Sequence, residues 1–228
     1  MTNMIYGNDI SHSLRYMMEQ DPAFRLVAYF SMEIGLRASI PTYAGGLGVL
    51  AGDILKSAAD LGVPMAGVTL LYRKGYFRQS FSDCWQQEKP VEWNPAAELD
   101  LLPNEVSVRI EGRDVKVRVW SCEIKGKDEF VVPVYFLDTD VEGNTKEDRE
   151  LTWRLYGGDH RYRLCQEIIL GSGGLRVLRD LGYTNIESYH MNEGHASFLT
   201  LELLREQGYE QFEKIREKGV FTTHTPVP

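Results

Sequence analysis

RLVAYFSMEIGLRASIPTYAGGLGVLAGDILKSAADLGVPMAGVTLLY, residues 25–72, reads as a strand, a glycine-rich turn, a helix and a second strand. Arg25 to Met32 is short and mostly apolar, as a buried strand requires. Val49 to Leu61 sets Leu50, Ile54, Ala58 and Leu61 on one helical face, and Val63 to Tyr72 returns as a strand. Two buried strands joined through a helix predict a parallel pair with a right-handed crossover, the unit of an α/β fold.

Beyond this unit the texture changes. From about 73 to 140 the period falls to two: Val106, Val108 and Ile110, a turn at EGRD (111–114), then Val115, Val117 and Val119. This predicts an antiparallel β-hairpin inserted in the domain. Phe130 to Leu137 adds a strand, and DTDVEGNTKEDRE (138–150) reads as an exposed loop leading into a helix. Helical periodicity returns in Tyr162 to Leu170 and Leu175 to Leu181, with GSGG (171–174) read as a break between them. A second α/β series follows: a strand at Asn185 to Met191, helices at His195 to Gln207 and Gln211 to Lys218, and a strand at Val220 to His224.

Composition narrows the function classes. The chain has 228 residues, 43% hydrophobic and 25% charged, with 21 Gly and 9 Pro, which fits a folded domain and argues against disorder or collagen. Its net charge of −8 offers no general basic surface for a nucleic-acid backbone. The longest strongly apolar run, Phe130 to Leu137, contains Pro133 and is far shorter than the roughly 20 residues of a membrane-spanning helix. MTNMIYGNDISHSLRYMMEQDP at the start lacks the basic and apolar regions of a secretory signal. Cysteines at 84, 122 and 165 suit neither a disulfide framework nor a CxxC metal site, so reduced, packed thiols are expected in a cytoplasmic protein.

Chemistry-bearing residues collect where strands end. In open α/β sheets the ligand crevice lies at the carboxyl ends of the strands. Glu33 follows the first strand in FSMEIG, as a solvated acid or as part of a crevice. Tyr43 to Gly48 (YAGGLG) precedes a helix: such a loop serves as a tight turn or brings successive N–H groups to an anion. It is neither GxGxxG nor a Walker loop, so dinucleotide or ATP binding is not supported. In YGGDH (156–160), Asp159 reads on local chemistry as a helix cap. HMNEGH (190–195) places Asn192, Glu193 and His195 at a strand-to-helix turn, a cluster able to bond several hydroxyls. His190 and His195 lack a third ligand at convincing spacing, so no metal is expected. FTTHTP (221–226) adds Thr222, Thr223, His224 and Thr225.

AYFSMEIGL (28–36), YAGGLGVLAGDILKSAADLG (43–62), LLYRKGYFRQ (70–79), RLYGGDHRYRLCQEIILG (154–171), HMNEGHASFLTLE (190–202) and FTTHTPVP (221–228) together resemble the α-glucan phosphorylases, in their shorter bacterial and archaeal branch. The resemblance implies the Rossmann-like N-terminal domain of a two-domain GT-B glycosyltransferase, with the C-terminal cofactor domain absent and this chain alone catalytically incomplete. It implies transfer of a glucosyl unit from the non-reducing end of an α-1,4-glucan or maltodextrin to inorganic phosphate, giving glucose 1-phosphate. Pyridoxal phosphate is the implied cofactor; its lysine lies in the C-terminal domain of relatives and none here matches its motif. A homodimer is a further implied partner.

Residue by residue, Gly45, Gly46, Leu47 and Gly48 match the family's glycine loop, with backbone amides toward phosphate and sugar. Glu33 matches an acid close to the reacting centre, Asp159 an acid in the gating loop, and His224 the histidine on the glucose 6-hydroxyl. Asn192, Glu193 and His195 match the segment lining the acceptor glucan path. Gly35 departs from the pattern, since longer members carry a tyrosine there against the cofactor ring. Two other readings stand beside this one. A nucleotide-sugar glycogen or starch synthase would show Lys-x-Gly-Gly-Leu where this chain has Tyr43-Ala44-Gly45-Gly46-Leu47. A non-catalytic glucan-binding module would need only part of the machinery.

Overall fold

A computed structural model describes residues 14, 17, 24–82, 85–89 and 91–224. Cys84 and Thr225, named above, lie outside the described residues. The opening unit is β1 (Leu26–Ser31), α1 (Gly46–Asp60) and β2 (Met65–Leu70), with β1 and β2 parallel. The middle region gives β3 (Arg78–Ser82), β4 (Trp85–Lys89), β5 (Asp100–Ile110), β6 (Arg113–Lys125) and β7 (Val131–Asp138). The remainder gives α2 (Lys146–Arg149), α3 (His160–Ile168), α4 (Gly174–Asp180), β8 (Ile186–Asn192), α5 (Phe198–Gln207), α6 (Phe212–Lys218) and β9 (Gly219–Thr222).

Seven strands form one mixed sheet in the order β5-β6-β7-β2-β1-β8-β9. The block from β7 to β9 is parallel, and β5 and β6 extend it as an antiparallel hairpin. Strand alternation divides the core between the two faces. Ala28, Phe30, Ala66, Val68 and Leu70 pack with Leu170, Leu175, Leu178 and Leu199 from the α3, α4 and α5 side. Tyr29, Met65, Val134, Phe136 and Trp120 pack with Ala51, Leu55 and Ala58 of α1.

Several expectations are corrected. The packed face of α1 is Gly48, Ala51, Gly52, Leu55, Ala58 and Ala59, whereas Leu50 and Leu61 are exposed. The reason is backbone contact: a Cβ on Gly52 would stand 2.0 Å from the Gly35 carbonyl oxygen, so the glycine side of the helix turns inward. The antiparallel hairpin is present as β5 and β6, and β6 pairs with β7 along the main sheet. Its turn is only Glu111-Gly112, both at positive φ (49° and 82°), while Arg113 and Asp114 already pair in β6. The separate two-stranded β3–β4 ribbon escaped the sequence reading because its exposed residues carry no buried face.

GSGG does not break the helix. α3 passes into α4 through one π-helical turn, Ile169–Gly173. Those glycines serve close packing: a Cβ on Gly171 would meet the Leu199 nitrogen at 2.4 Å, and one on Gly174 the Phe30 ring at 2.7 Å. Nor is 138–150 wholly exposed, since Asp138, Thr139, Val141 and Asp148 are buried. Asp138, fully enclosed at the end of β7, accepts from Arg73 Nη2 (2.6 Å), Arg118 Nε (2.8 Å), Trp120 Nε1 (3.1 Å) and the Asp140 N–H (2.9 Å). Burial alone would raise its pKa, but Arg73, the Asp140 N–H and Arg118 outweigh it and hold the carboxyl below its usual value.

Cys122 and Cys165 are free thiols, both buried, and burial pushes Cys122 up to about 12. Among the described residues no helix is long and apolar enough to cross a membrane, and no group of three or more His, Cys, Asp or Glu could hold a metal.

Candidate functional site

The carboxyl ends of β1, β8 and β9 lie side by side, because β1 pairs with β8 through Ser31↔Asn192 and β8 with β9 through Asn192↔Thr222. Asn192 is completely buried between them. Its Nδ2 donates to Ser31 Oγ (3.1 Å), and Ser31 donates in turn to the Glu33 carbonyl (2.7 Å). The Asn192 Oδ1 accepts from Thr222 Oγ1 (3.3 Å) and His224 Nε2 (3.0 Å). Three strand ends are thus joined by hydrogen bonds, from the imidazole of His224 to the main chain at Glu33.

Glu33 is not a solvated acid. Only 3% exposed, it accepts from the Ala44 N–H (2.6 Å) and Gly45 N–H (3.2 Å) through Oε2, and from the Tyr156 hydroxyl (2.7 Å) through Oε1. One carboxylate therefore ties the glycine loop to the YGGDH segment. Tyr156 holds a left-handed backbone (φ 54°), unusual for an aromatic residue. Burial, then its bond to Glu33, pushes its phenol well above the usual range.

The glycine loop leads into α1 with Gly45 as cap and no side-chain cap bond. The helix starts at Gly46, inside the loop, three residues earlier than the sequence suggested. The Ala44 and Gly45 amides are held by Glu33 in this structure. Gly46 and Leu47 occupy the first turn, whose N–H groups have no partner within a helix. Gly45 and Gly46 have open space where side chains would stand. Gly48 is tight instead: a Cβ there would meet Tyr43 Cβ at 2.5 Å and Glu33 Oε2 at 2.7 Å. The Gly35 N–H donates to the Gly48 carbonyl (2.7 Å), and a Cβ on Gly35 would stand 3.1 Å from that oxygen. A tyrosine at 35 would have to displace this contact.

Glu193 also has a left-handed backbone (φ 68°), and its Oε1 accepts the His224 N–H (2.5 Å). His195 meets Arg163 Nη2 through Nε2 (3.0 Å) and lies beside the Tyr156 ring, centroids 6.0 Å apart. His190 packs edge-on to Tyr29 (4.8 Å) and meets Thr222 Oγ1 (3.3 Å). Burial, then His224, lowers the His190 pKa.

Glu33 and the glycine loop are thus in direct contact, as are Asn192, Glu193 and His224. His195 joins through Tyr156 and Arg163. Asp159 is an exposed helix cap, accepting from the Tyr162 N–H (2.9 Å). Tyr156, Arg163 and Ser31 were not singled out in the sequence. Tyr156 opens the YGGDH turn, but nothing local marks a tyrosine whose partner lies 123 residues away.

Four of the described lysines have partners outside the strand-end relay. Lys74 lies over the Trp153 ring at 3.9 Å, Lys116 pairs with Glu105, Lys127 with Asp60, and Lys218 donates to the Ile186 carbonyl. None of the residues joined at these strand ends, from Glu33 and the glycine loop to Asn192 and His224, is a lysine, so they offer no amine for a Schiff base with an aldehyde cofactor.

A mostly parallel α/β sheet thus carries a helix N-terminus and a polar relay at adjoining strand ends, groups of the kind that suit an anion and hydroxyls. Comparison with known proteins makes this specific: residues 42–165 match the model of the carbohydrate phosphorylase family, and the chain belongs to that family. It is 42% identical over 247 residues to a glycogen phosphorylase of Mycobacterium tuberculosis, covering 96% of this chain and 28% of that protein. A maltodextrin phosphorylase of Thermococcus litoralis is 40% identical over 89% of the chain and 25% of its own length. A glycogen phosphorylase of Aquifex aeolicus is 36% identical over 98% of the chain and 33% of its own. The chain therefore spans about a quarter to a third of the relatives it matches.

Proposed function

We propose that this chain is the N-terminal part of an α-1,4-glucan phosphorylase, the Rossmann-like half of a two-domain GT-B glycosyltransferase. The complete protein transfers glucosyl from the non-reducing end of a glucan or maltodextrin to inorganic phosphate, giving glucose 1-phosphate. The observation that carries this reading is the 42% identity to a glycogen phosphorylase across 96% of the chain. A cytoplasmic location and a homodimer belong to the same reading.

Within it, the Gly46 and Leu47 amides at the α1 N-terminus favour an anion in the crevice, and preorganised donors of this kind stabilise charge without reorganising. Glu33 acts by position, holding the loop that presents them. His224 gives its Nε2–H to Asn192, leaving Nδ1 to accept from a sugar hydroxyl. Glu193 fixes the His224 main chain. Asp159 shapes the gating loop by starting α3. Pyridoxal phosphate supplies a phosphate for proton transfer when bound, and its lysine belongs to the part of the relatives that this chain does not match.

The test is phosphorolysis of maltoheptaose by the 228-residue chain alone and mixed with the polypeptide corresponding to the rest of the relatives, with pyridoxal phosphate present. Glucose 1-phosphate only from the mixture is the expected result. No product from folded, cofactor-loaded components would favour a glucan-binding module.

A further inference from the structure

Arg163 and His195 meet at 3.0 Å through Nη2 and Nε2. A guanidinium has donors only, so Nε2 must accept, and the imidazole proton must sit on Nδ1. Nδ1 is itself buried and has no hydrogen-bond partner among the described residues. We propose that Arg163 is a positioning residue that locks His195 as the neutral Nδ1–H tautomer, so that it stands in the crevice as a hydrogen-bond donor and not as a cation. The donor's partner is a hydroxyl oxygen of a carbohydrate, which rests on the glucan reading above.

The surroundings fit a neutral ring. Arg163 comes from α3, Tyr156 from the loop before it, Glu33 from the end of β1, and Glu193 from the turn that carries His195 itself. Tyr156 covers the imidazole and also meets Arg163, whose guanidinium carbon lies 5.6 Å from the phenol ring. Burial and Arg163 both push the His195 pKa down, against the opposing pull of Glu193 and Glu33. Neither carboxylate takes the Nδ1–H: Glu33 accepts from two amides and Tyr156, and Glu193 accepts the His224 N–H. Gly194, next to His195 in the chain, is exposed and has open space where a side chain would stand. A histidine kept uncharged does not repel Arg163.

Long-range nitrogen–proton correlation of histidine-labelled chain distinguishes the two ring nitrogens and reads the proton directly. The expected spectrum places the His195 proton on Nδ1 and keeps the ring neutral through the region near pH 6.5 where an ordinary histidine titrates. In Arg163→Leu the ring should lose the tautomer preference and begin to titrate; Arg163→Lys, which retains a donor, should restore the preference in part. A proton on Nε2 in the unaltered chain, or an unchanged tautomer in folded Arg163→Leu, would overturn the assignment. Maltoheptaose should then move the His195 Nδ1–H resonance. Binding that shifts other crevice signals but leaves this one still removes the hydroxyl partner from the proposal. Absence of any binding contradicts the glucan reading, and the tautomer arm still decides the role of Arg163.

Discussion

Two strand ends of the same sheet, Asp138 at the end of β7 and Asn192 at the end of β8, are both fully buried polar residues, and they are satisfied in opposite ways. Asp138 is closed by charge: two arginines, an indole and a main-chain N–H exhaust its carboxylate. Asn192 belongs to a chain of hydroxyl and amide groups that ends on exposed His224. The first arrangement locks the antiparallel half of the sheet to the loop after it. The second keeps hydrogen-bonding capacity at the surface, which is what recognition of a hydroxylated ligand requires. Burial of a polar group alone therefore says little about function; what matters is whether its network ends inside the protein or at the surface.

The contrast gives a ranked set of expectations. Asp138→Ala leaves Arg73 and Arg118 without their buried partner and should cost about 3–5 kcal/mol in urea unfolding. A loss under about 1 kcal/mol would mean that this half is not held by its charges. Tyr156→Phe removes one bond to a buried carboxylate and should cost about 1.5–3 kcal/mol. It should also speed hydrogen exchange at Ala44 and Gly45, since Glu33 is then held from one side only; unchanged exchange would uncouple the two loops. Asp159→Ala should cost about 0.5–2 kcal/mol as a lost helix cap, with α3 fraying seen by amide exchange. His224→Ala, at an exposed position, should shift stability by no more than about 0.5 kcal/mol while lowering turnover in the full-length protein. Unfolding on that change would make His224 a structural residue.

Acid separates the halves without mutation. His190 and His195 have lowered pKa values, so the unfolded chain binds protons first as pH falls below about 6.5, and stability declines from there. Asp138, Asp148 and Glu202 also have lowered values, so their contribution is present above about pH 4 and is lost only as pH falls through their folded-state pKa. Unfolding free energy measured against pH should thus decline in two stages. A profile flat down to pH 5 would contradict the burial assigned to the histidines.

The sheet strands that bury an alternating or continuous apolar face were legible in the sequence, because burial writes its period into the residues: β1, β2 and β7 lie within a residue or two of their expected bounds, and β5 and β6 contain the alternating stretches but extend six residues beyond them, to Asp100 and Lys125. What failed were places where backbone meets backbone. Gly52 against Gly35 rotated the packed face of α1, and Gly171 against Leu199 carried the helix through a stretch read as a break. A glycine used for contact and a glycine used for flexibility look alike in sequence. The strand-end residues Glu33, Asn192, Glu193 and His224 were legible from position in an α/β unit. Their wiring was not, since Tyr156 and Arg163 reach the crevice only through tertiary folding.

The most direct test of the account follows the backbone amides of the glycine loop by NMR while inorganic phosphate and maltoheptaose are added to the chain. The account predicts that the Gly46 and Leu47 amides move with phosphate, that His224 and Asn192 signals move with maltoheptaose, and that Ala44 and Gly45 stay protected by Glu33. Ligand shifts confined to residues away from the β1, β8 and β9 ends, or exchange-labile Ala44 and Gly45 amides, would contradict it.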